Sequence, residues 1–295
     1  MVHVDHVALR GAPICARPDP ARPEDGRPLK NAFAQVRREP VLKLKEFWRR
    51  ACATSKLVAM RSMWATFPGR STPPPAAVGQ TRDVRIATWN LAGRWTPRHA
   101  SLLSSLRADV LLLTEVLYRV EVPGMTTHRT EGEMQPGRRW AAVAAASRTL
   151  MPFPDPRGAT ALAEVDGLLI ASSALPWRNS GGDLPWVGHD QRSRTASAVS
   201  GIAAGAPVIW GGDWNHELQG RLYTGSVEGR ARIVCTLDDL GLVAPTETAR
   251  HRIAPAQSID HVAVPAFWTV TAVDRVSAIV DGIALSDHDA YVVEV

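Results

Sequence analysis

The stretch that decides how this chain is read is Pro207-Val208-Ile209-Trp210-Gly211-Gly212-Asp213-Trp214-Asn215. An apolar run enters two glycines and then an acid and an amide. A short apolar run bounded by turn residues is the signature of a buried strand. A strand that ends this way delivers its polar groups to the rim of a sheet. Asp213 and Asn215 are two positions apart, so on extended backbone they point to the same face. An acid there can orient or deprotonate a water, and an amide can hold a phosphate oxygen. An Asx turn closing a buried strand gives the same pattern.

The same arrangement occurs three more times. Thr88-Trp89-Asn90 follows Val84-Arg85-Ile86-Ala87, Thr114-Glu115 follows Val110-Leu111-Leu112-Leu113, and Ser286-Asp287-His288 precedes a closing strand, Ala290-Tyr291-Val292-Val293. Four such rims can converge on one site. Phosphate-ester cleavage needs a divalent cation on the phosphoryl oxygens, a positioned water and help for the leaving oxygen. Mg²⁺ and Mn²⁺ prefer oxygen ligands. Glu115, a lone acid after four apolar residues, is the best candidate ligand, and Asn90 offers a neutral carbonyl oxygen. A loop can turn both Asp287 and His288 inward. His288 can stabilise or protonate phosphoryl oxygens, with Asp260 orienting its imidazole. Taken singly, each residue also has an ordinary structural explanation, as an exposed strand-terminal carboxylate or a turn residue.

Around these motifs, strands are expected at 84–90, 109–115, 140–146, 167–172, 207–212, 259–264, 269–274 and 289–294. Leu102, Leu103 and Leu106 fall at helical spacing within 97–107, and 191–204 and 230–240 are further helix candidates. Strands interleaved with helices point to an α/β layered domain. His261 follows Asp260 on a strand and should face away from it, as a packing residue. His216 and Glu217 are expected to open a helix or line the mouth of the site.

The net charge of +5 is unevenly placed. Residues 1–80 carry 14 Lys and Arg against 6 Asp and Glu, whereas residues 81–295 carry 20 Arg, no Lys and 23 acids. The basic character belongs to the N-terminal extension, so it gives no argument that the folded part grips nucleic acid. Within 1–80, Val41, Leu44, Trp48 and Ala51 suggest a basic amphipathic helix over 41–60, and Pro73-Pro74-Pro75 marks a linker. That helix either docks on the main domain or contacts a polyanion. Cys15, Cys52 and Cys235 are few and far apart, with no CxxC or metal spacing. Together with the lack of an apolar signal core or a membrane-length run, this usage leads us to expect a cytoplasmic protein without a transmembrane segment.

TWNLAG at 88–93, LLLTEV at 111–116, GGDWN at 211–215, SIDHVAV at 258–264 and LSDHDAYVVEV at 285–295 together resemble the endonuclease/exonuclease/phosphatase superfamily. The resemblance runs from about residue 82 to the C-terminus. It implies a four-layer α/β/β/α sandwich of two packed mixed sheets over 81–295, preceded by the extension. It implies metal-site roles for Asn90, Glu115 and Asp287. Asp213 matches the acid that activates water, Asn215 the amide that holds the phosphate, His288 the catalytic histidine and Asp260 the acid that orients it. One departure stands out. Many members carry a His or Tyr on a middle strand, where this chain has Ser172, with His189 and Arg178 as candidates to fill the gap. A hydroxyl can hydrogen-bond a phosphate oxygen but carries no positive charge.

The resemblance implies a Mg²⁺- or Mn²⁺-dependent phosphoesterase acting on a phosphodiester, with nucleic acid as the leading substrate class. A phosphatase or phosphodiesterase for a small phosphorylated metabolite or a phospholipid head group is the alternative. A non-catalytic binding module is a third reading, and the retained Glu115, Asp213, Asp287 and His288 argue against it. Trp95, Trp177, Trp186 and Trp214 lie near the expected active end, either as base-stacking platforms or as packing anchors.

Overall fold

The computed structural model describes residues 84–147, 149–180 and 185–295. The extension expected over 1–80, with its helix at 41–60, lies outside the described residues. In chain order the elements are β1 (Arg85–Asn90), α1 (Pro97–Ser105), β2 (Val110–Leu117), β3 (Thr126–Arg129), β4 (Glu133–Gln135), β5 (Arg138–Ala145), β6 (Leu150–Phe153), β7 (Thr160–Val165), β8 (Leu168–Ser173), α2 (Gln191–Gly205), β9 (Ile209–Asp213), α3 (Val227–Leu240), β10 (Leu242–Val243), β11 (Asp260–Pro265), β12 (Ala272–Val276), β13 (Ile279–Val280), β14 (Ile283–Ala284) and β15 (Ala290–Glu294). No helix among the described residues is long and apolar enough to cross a membrane.

The strands form two large sheets. One runs β12-β15-β1-β2-β5-β3, with β4 also pairing β5, and the other runs β10-β11-β9-β8-β7-β6. Each is mixed, with one parallel pair among antiparallel neighbours: β1 with β2, and β8 with β9. A parallel pair cannot be closed by a tight turn and needs a crossover, which α1 and α2 supply.

The period of two along each strand sorts the side chains into layers. Ile86, Val110, Leu112, Ala141 and Val143 of the first sheet pack against Ala161, Ala163, Ile170, Ile209 and Val262 of the second. Their sequence neighbours point the other way. Ala87, Trp89, Leu111, Leu113 and Ala142 meet Leu102, Leu103 and Leu106 of α1. Leu162, Ala171, Trp210 and Ala263 meet Ala198, Val199 and Ile202 of α2 and Ile233 and Leu237 of α3. Sheet lies on sheet in the middle and helices cover both outer faces, the four-layer arrangement expected.

The glycines before Asp213 are steric requirements. A Cβ at Gly211 would stand 2.5 Å from His261 O and from Leu112 Cδ1, in the contact between the sheets. Gly212 has φ +122, and a Cβ there would stand 2.2 Å from Ser173 O. The Gly211-Gly212 pair therefore lets β9 press against both neighbours and bring Asp213 to the rim.

Within the described residues each expected strand and helix has a counterpart, with ends displaced by a few residues. β3, β4, β6, β7, β10, β13 and β14 are additional. His216 and Glu217 neither start a helix nor line a mouth; both are fully buried in the segment after β9. His261 is the packing residue expected, with Nδ1 3.2 Å from Thr246 Oγ1 and Nε2 3.0 Å from His216 O.

Candidate active site

β1 and β2 run parallel and in register, so Asn90 lies beside Thr114, next to Glu115. β9 and β11 run antiparallel with Asp213 opposite Asp260. The rims of the two sheets then meet. Asn90 Nδ2 donates to Glu115 Oε1 at 3.2 Å and to Asp213 Oδ2 at 3.0 Å. Asn90 Oδ1 accepts from Ala92 N–H at 2.8 Å, which fixes which end of the amide faces the two acids. The fourth motif joins through Ser286, whose hydroxyl donates to Asn90 O at 2.7 Å and accepts from His288 N–H at 3.1 Å. All four motifs are thus brought together.

Glu115 has φ +55, the left-handed region, within β2. For a residue with a full side chain that conformation is uncommon and carries strain, a feature that concentrates at functional sites. The loop after β1 holds it in place: Leu91 N–H donates to Thr114 O at 3.0 Å and Gly93 N–H to Glu115 O at 2.9 Å.

Asp213 is buried and accepts at Oδ1 from Asn215 N–H, 3.0 Å away. Burial, and then the charge of Asp260, push its carboxyl up to about 7 against the pull of His288 and the two donors. Asn215, at φ +52, gives one amide hydrogen to Leu175 O at 2.9 Å. His288 Nδ1 lies 2.7 Å from Asp260 Oδ2, so Nε2 is the nitrogen left to act. Burial alone would lower the pKa of His288. The charge and hydrogen bond of Asp260, with the charges of Asp213 and Asp287, overcome burial and raise it to about 10. The imidazole is therefore charged at neutral pH, with a buried carboxylate behind it.

Ligand atoms of Asp213, Asp260 and His288 lie within 4.8 Å of one another. A contact of 2.7 Å between a ring nitrogen and a carboxylate oxygen is a charge-assisted hydrogen bond with a proton between them. That group is better suited to handling protons than to caging an ion. The oxygen donors suited to a hard divalent cation are Glu115 and Asp287. Asn90, expected to offer a carbonyl oxygen, instead turns its NH2 group to the acids and its oxygen to Ala92 N–H. Asp287 is exposed, with Oδ1 3.4 Å from Ser286 Oγ, whose one proton goes to Asn90 O.

Ser172 is not at this rim. It is fully buried, and its hydroxyl donates to Leu113 O of the other sheet at 2.9 Å. The chain reaches the level of Asp213 three residues later, where Leu175 N–H donates to Asp213 O at 2.8 Å. The residue beside Asp213 and Asn215 is therefore apolar. Arg178 and His189 are both exposed, and His189 leads into the N-terminus of α2, where its N–H donates to Ser193 Oγ.

Several residues at the site carried no signal in the sequence. Arg138, the first residue of β5, is ion-paired with Glu115. Arg252 donates to Ser286 O at 2.8 Å, and the neighbouring His251 feels the charges of Asp260 and His288. The tryptophans are mostly anchors. Trp214 is fully buried, and Trp186 packs edge-on against Trp140 and Trp177 at 4.7 and 5.2 Å between ring centroids.

Comparison with known proteins agrees with this fold. The model of the Endonuclease/Exonuclease/phosphatase family matches residues 87–288. No curated protein matches the chain in sequence. Among solved structures, the endonuclease domain of TRAS1, a telomere-specific non-LTR retrotransposon, is 15% identical with a TM-score of 0.51, covering 72% of this chain and 98% of that one. An AP endonuclease from Archaeoglobus fulgidus is 14% identical with a TM-score of 0.51, covering 71% of this chain and 98% of that one. The 3′ phosphatase NExo from Neisseria, bound to a product DNA hairpin, is 16% identical with a TM-score of 0.51 and the same coverage. At such identities the likeness is one of fold.

Proposed function

Because the chain belongs to the Endonuclease/Exonuclease/phosphatase family, we propose that it is a divalent-metal-dependent phosphoesterase that hydrolyses phosphodiester bonds, with nucleic acid as its substrate class. The observation that carries this reading is the convergence of Asn90, Glu115, Asp213, Asp260 and His288 through hydrogen bonds and strand register. A Mg²⁺ or Mn²⁺ ion held by Glu115 and Asp287 would supply positive charge to the phosphoryl oxygens, and the Asn90 NH2 group would hold Glu115 in place. Asp213, with its proton affinity raised into the neutral range, accepts a proton from the attacking water. The second amide hydrogen of Asn215 faces a phosphoryl oxygen. His288 presents its Nε2–H to the charge that develops on phosphorus-bound oxygen, and Asp260 keeps that ring oriented and charged.

The TRAS1 domain and the AP endonuclease act on nucleic acid by their names, which supports the nuclease reading for this chain. The second reading is a phosphatase or phosphodiesterase for a small phosphorylated metabolite or a phospholipid head group. It is favoured by the charge balance of residues 81–295, which have no Lys and more acids than arginines. A duplex-gripping surface works through many phosphate contacts. On the nuclease reading, the basic residues of 1–80 supply part of that contact. A panel of single- and double-stranded DNA, RNA, an abasic duplex, inositol phosphates and phospholipids, assayed with Mg²⁺ and Mn²⁺, separates the two. Turnover confined to the small phosphates would reject the nuclease.

A further inference from the structure

Arg138 forms an ion pair through Nη2 with Glu115 Oε2, while Asn90 Nδ2 occupies the other carboxylate oxygen at 3.2 Å. Arg138 also lies within the field of Asp287, whose charge favours the guanidinium against the burial that opposes it. The guanidinium is therefore paired with one of the two carboxylates that the proposed metal site requires and feels the charge of the other. Its Nε is buried without a hydrogen-bond partner.

The chain makes room for this contact at Gly93. With φ +64, Gly93 turns its open face to Arg138, and a Cβ there would stand 2.7 Å from both Cζ and Nε. A side chain at position 93 would push the guanidinium off Glu115.

We propose that Arg138 is an internal competitor for the metal site: its guanidinium and a divalent ion hold Glu115 in alternation, and Arg138 sets the affinity for the ion. The proposal rests on the reading of Glu115 as a metal ligand. Two cations cannot share the same carboxylate oxygen without strong mutual repulsion. An arginine cannot relieve that repulsion by losing its proton, so it must move. Its planar fork suits phosphate oxygens, which gives the displaced guanidinium an anionic partner when substrate arrives.

The test is isothermal titration of the full chain with Mn²⁺, without substrate, for wild type, Arg138→Gln, Gly93→Ala and Glu115→Gln, each checked for fold by circular dichroism. The sign of the change is diagnostic. Removing a competitor tightens binding, whereas removing a structural support weakens it. Arg138→Gln is expected to bind Mn²⁺ about tenfold more tightly, the scale of a partly buried ion pair. Gly93→Ala, which crowds Arg138 without removing it, should shift affinity in the same direction and serves if Arg138→Gln does not fold. Unchanged or weaker binding by the folded variant overturns the competition, while loss of binding in Glu115→Gln keeps the metal site itself. Wild-type Mn²⁺ binding by Glu115→Gln removes the site on which the proposal rests.

Discussion

Asp213 and Asp260 are direct cross-strand partners on the antiparallel pair β9–β11. Two buried acids face each other there, and His288 stands on the second with a 2.7 Å hydrogen bond. Like charges at this spacing resist ionising together, so the pair divides its roles. Asp260 is hydrogen-bonded to the His288 ring. Asp213 is left with a carboxyl whose pKa burial and its neighbour have raised to about 7.

This division has a stability consequence. The Asp213 carboxyl rises from 3.8 to about 7 on folding. Stability held with the protonated form is therefore fully present below about pH 4 and is lost as pH rises through about 7. Asp213→Asn removes that pH-dependent loss. The difference in melting temperature, variant minus wild type, should grow between pH 5 and pH 8. A constant offset is expected as well, because one of the donors Asn90 and Asn215 loses its acceptor. A difference that stays flat with pH would place the titration elsewhere.

His288→Ala should lower kcat by about 10²–10⁴-fold, the usual scale for a positioned acid or base. Asp260→Asn should also lower kcat, by removing the carboxylate that orients and charges the ring. In wild type, kcat/KM should rise through about pH 7 as Asp213 ionises and fall toward about pH 10 as His288 loses its proton. The alkaline limb should be absent from His288→Ala. Wild-type kcat in both variants would move the active centre away from these residues.

Ser172→Ala should behave as a structural change. The buried hydroxyl bonds Leu113 O, so its loss should cost about 1 kcal/mol in urea denaturation. Its kcat on bis-p-nitrophenyl phosphate should stay within about twofold of wild type. A large fall in kcat with unchanged stability would put the hydroxyl on the phosphate after all.

The core of the fold and the rim positions of the candidate residues were legible because both follow from strand periodicity; the roles given to those residues came from the resemblance. Asn90, Glu115, Asp213 and His288 each close or precede an apolar run, and a sheet carries such positions to a common rim. What escaped follows from weaker local signals. β7 and β8 form a hairpin turned by Asp166 and Gly167, both at positive φ, a dipeptide that marks such turns in sequence. Ala161 and Ala163 in β7 give little apolar contrast, so the strand itself does not stand out. Ser172 is three residues short of the rim because the chain runs on past the end of β8 before Leu175 meets Asp213. Arg138 and Arg252 reach the site from neighbouring segments through long side chains, a relationship that only the folded chain creates.

If the extension supplies affinity for a polyanion, deleting residues 1–80 should weaken binding to DNA or RNA and flatten its salt dependence, because fewer counterions are released. Turnover of a small chromogenic phosphodiester should survive, since every proposed site residue lies after Arg85. Filter binding across a salt series on the truncated and full chains measures both effects. A truncated chain that folds and binds with an unchanged salt slope rejects the polyanion role.

The most direct test of the central claim is the initial rate on bis-p-nitrophenyl phosphate after EDTA treatment, followed by addition of Mg²⁺ or Mn²⁺, for wild type and Glu115→Gln. No turnover is expected in EDTA, with recovery of wild type when the ion is returned and no recovery of Glu115→Gln at the same ion concentration. Full turnover in EDTA, or a Glu115→Gln variant as active as wild type, would contradict that claim.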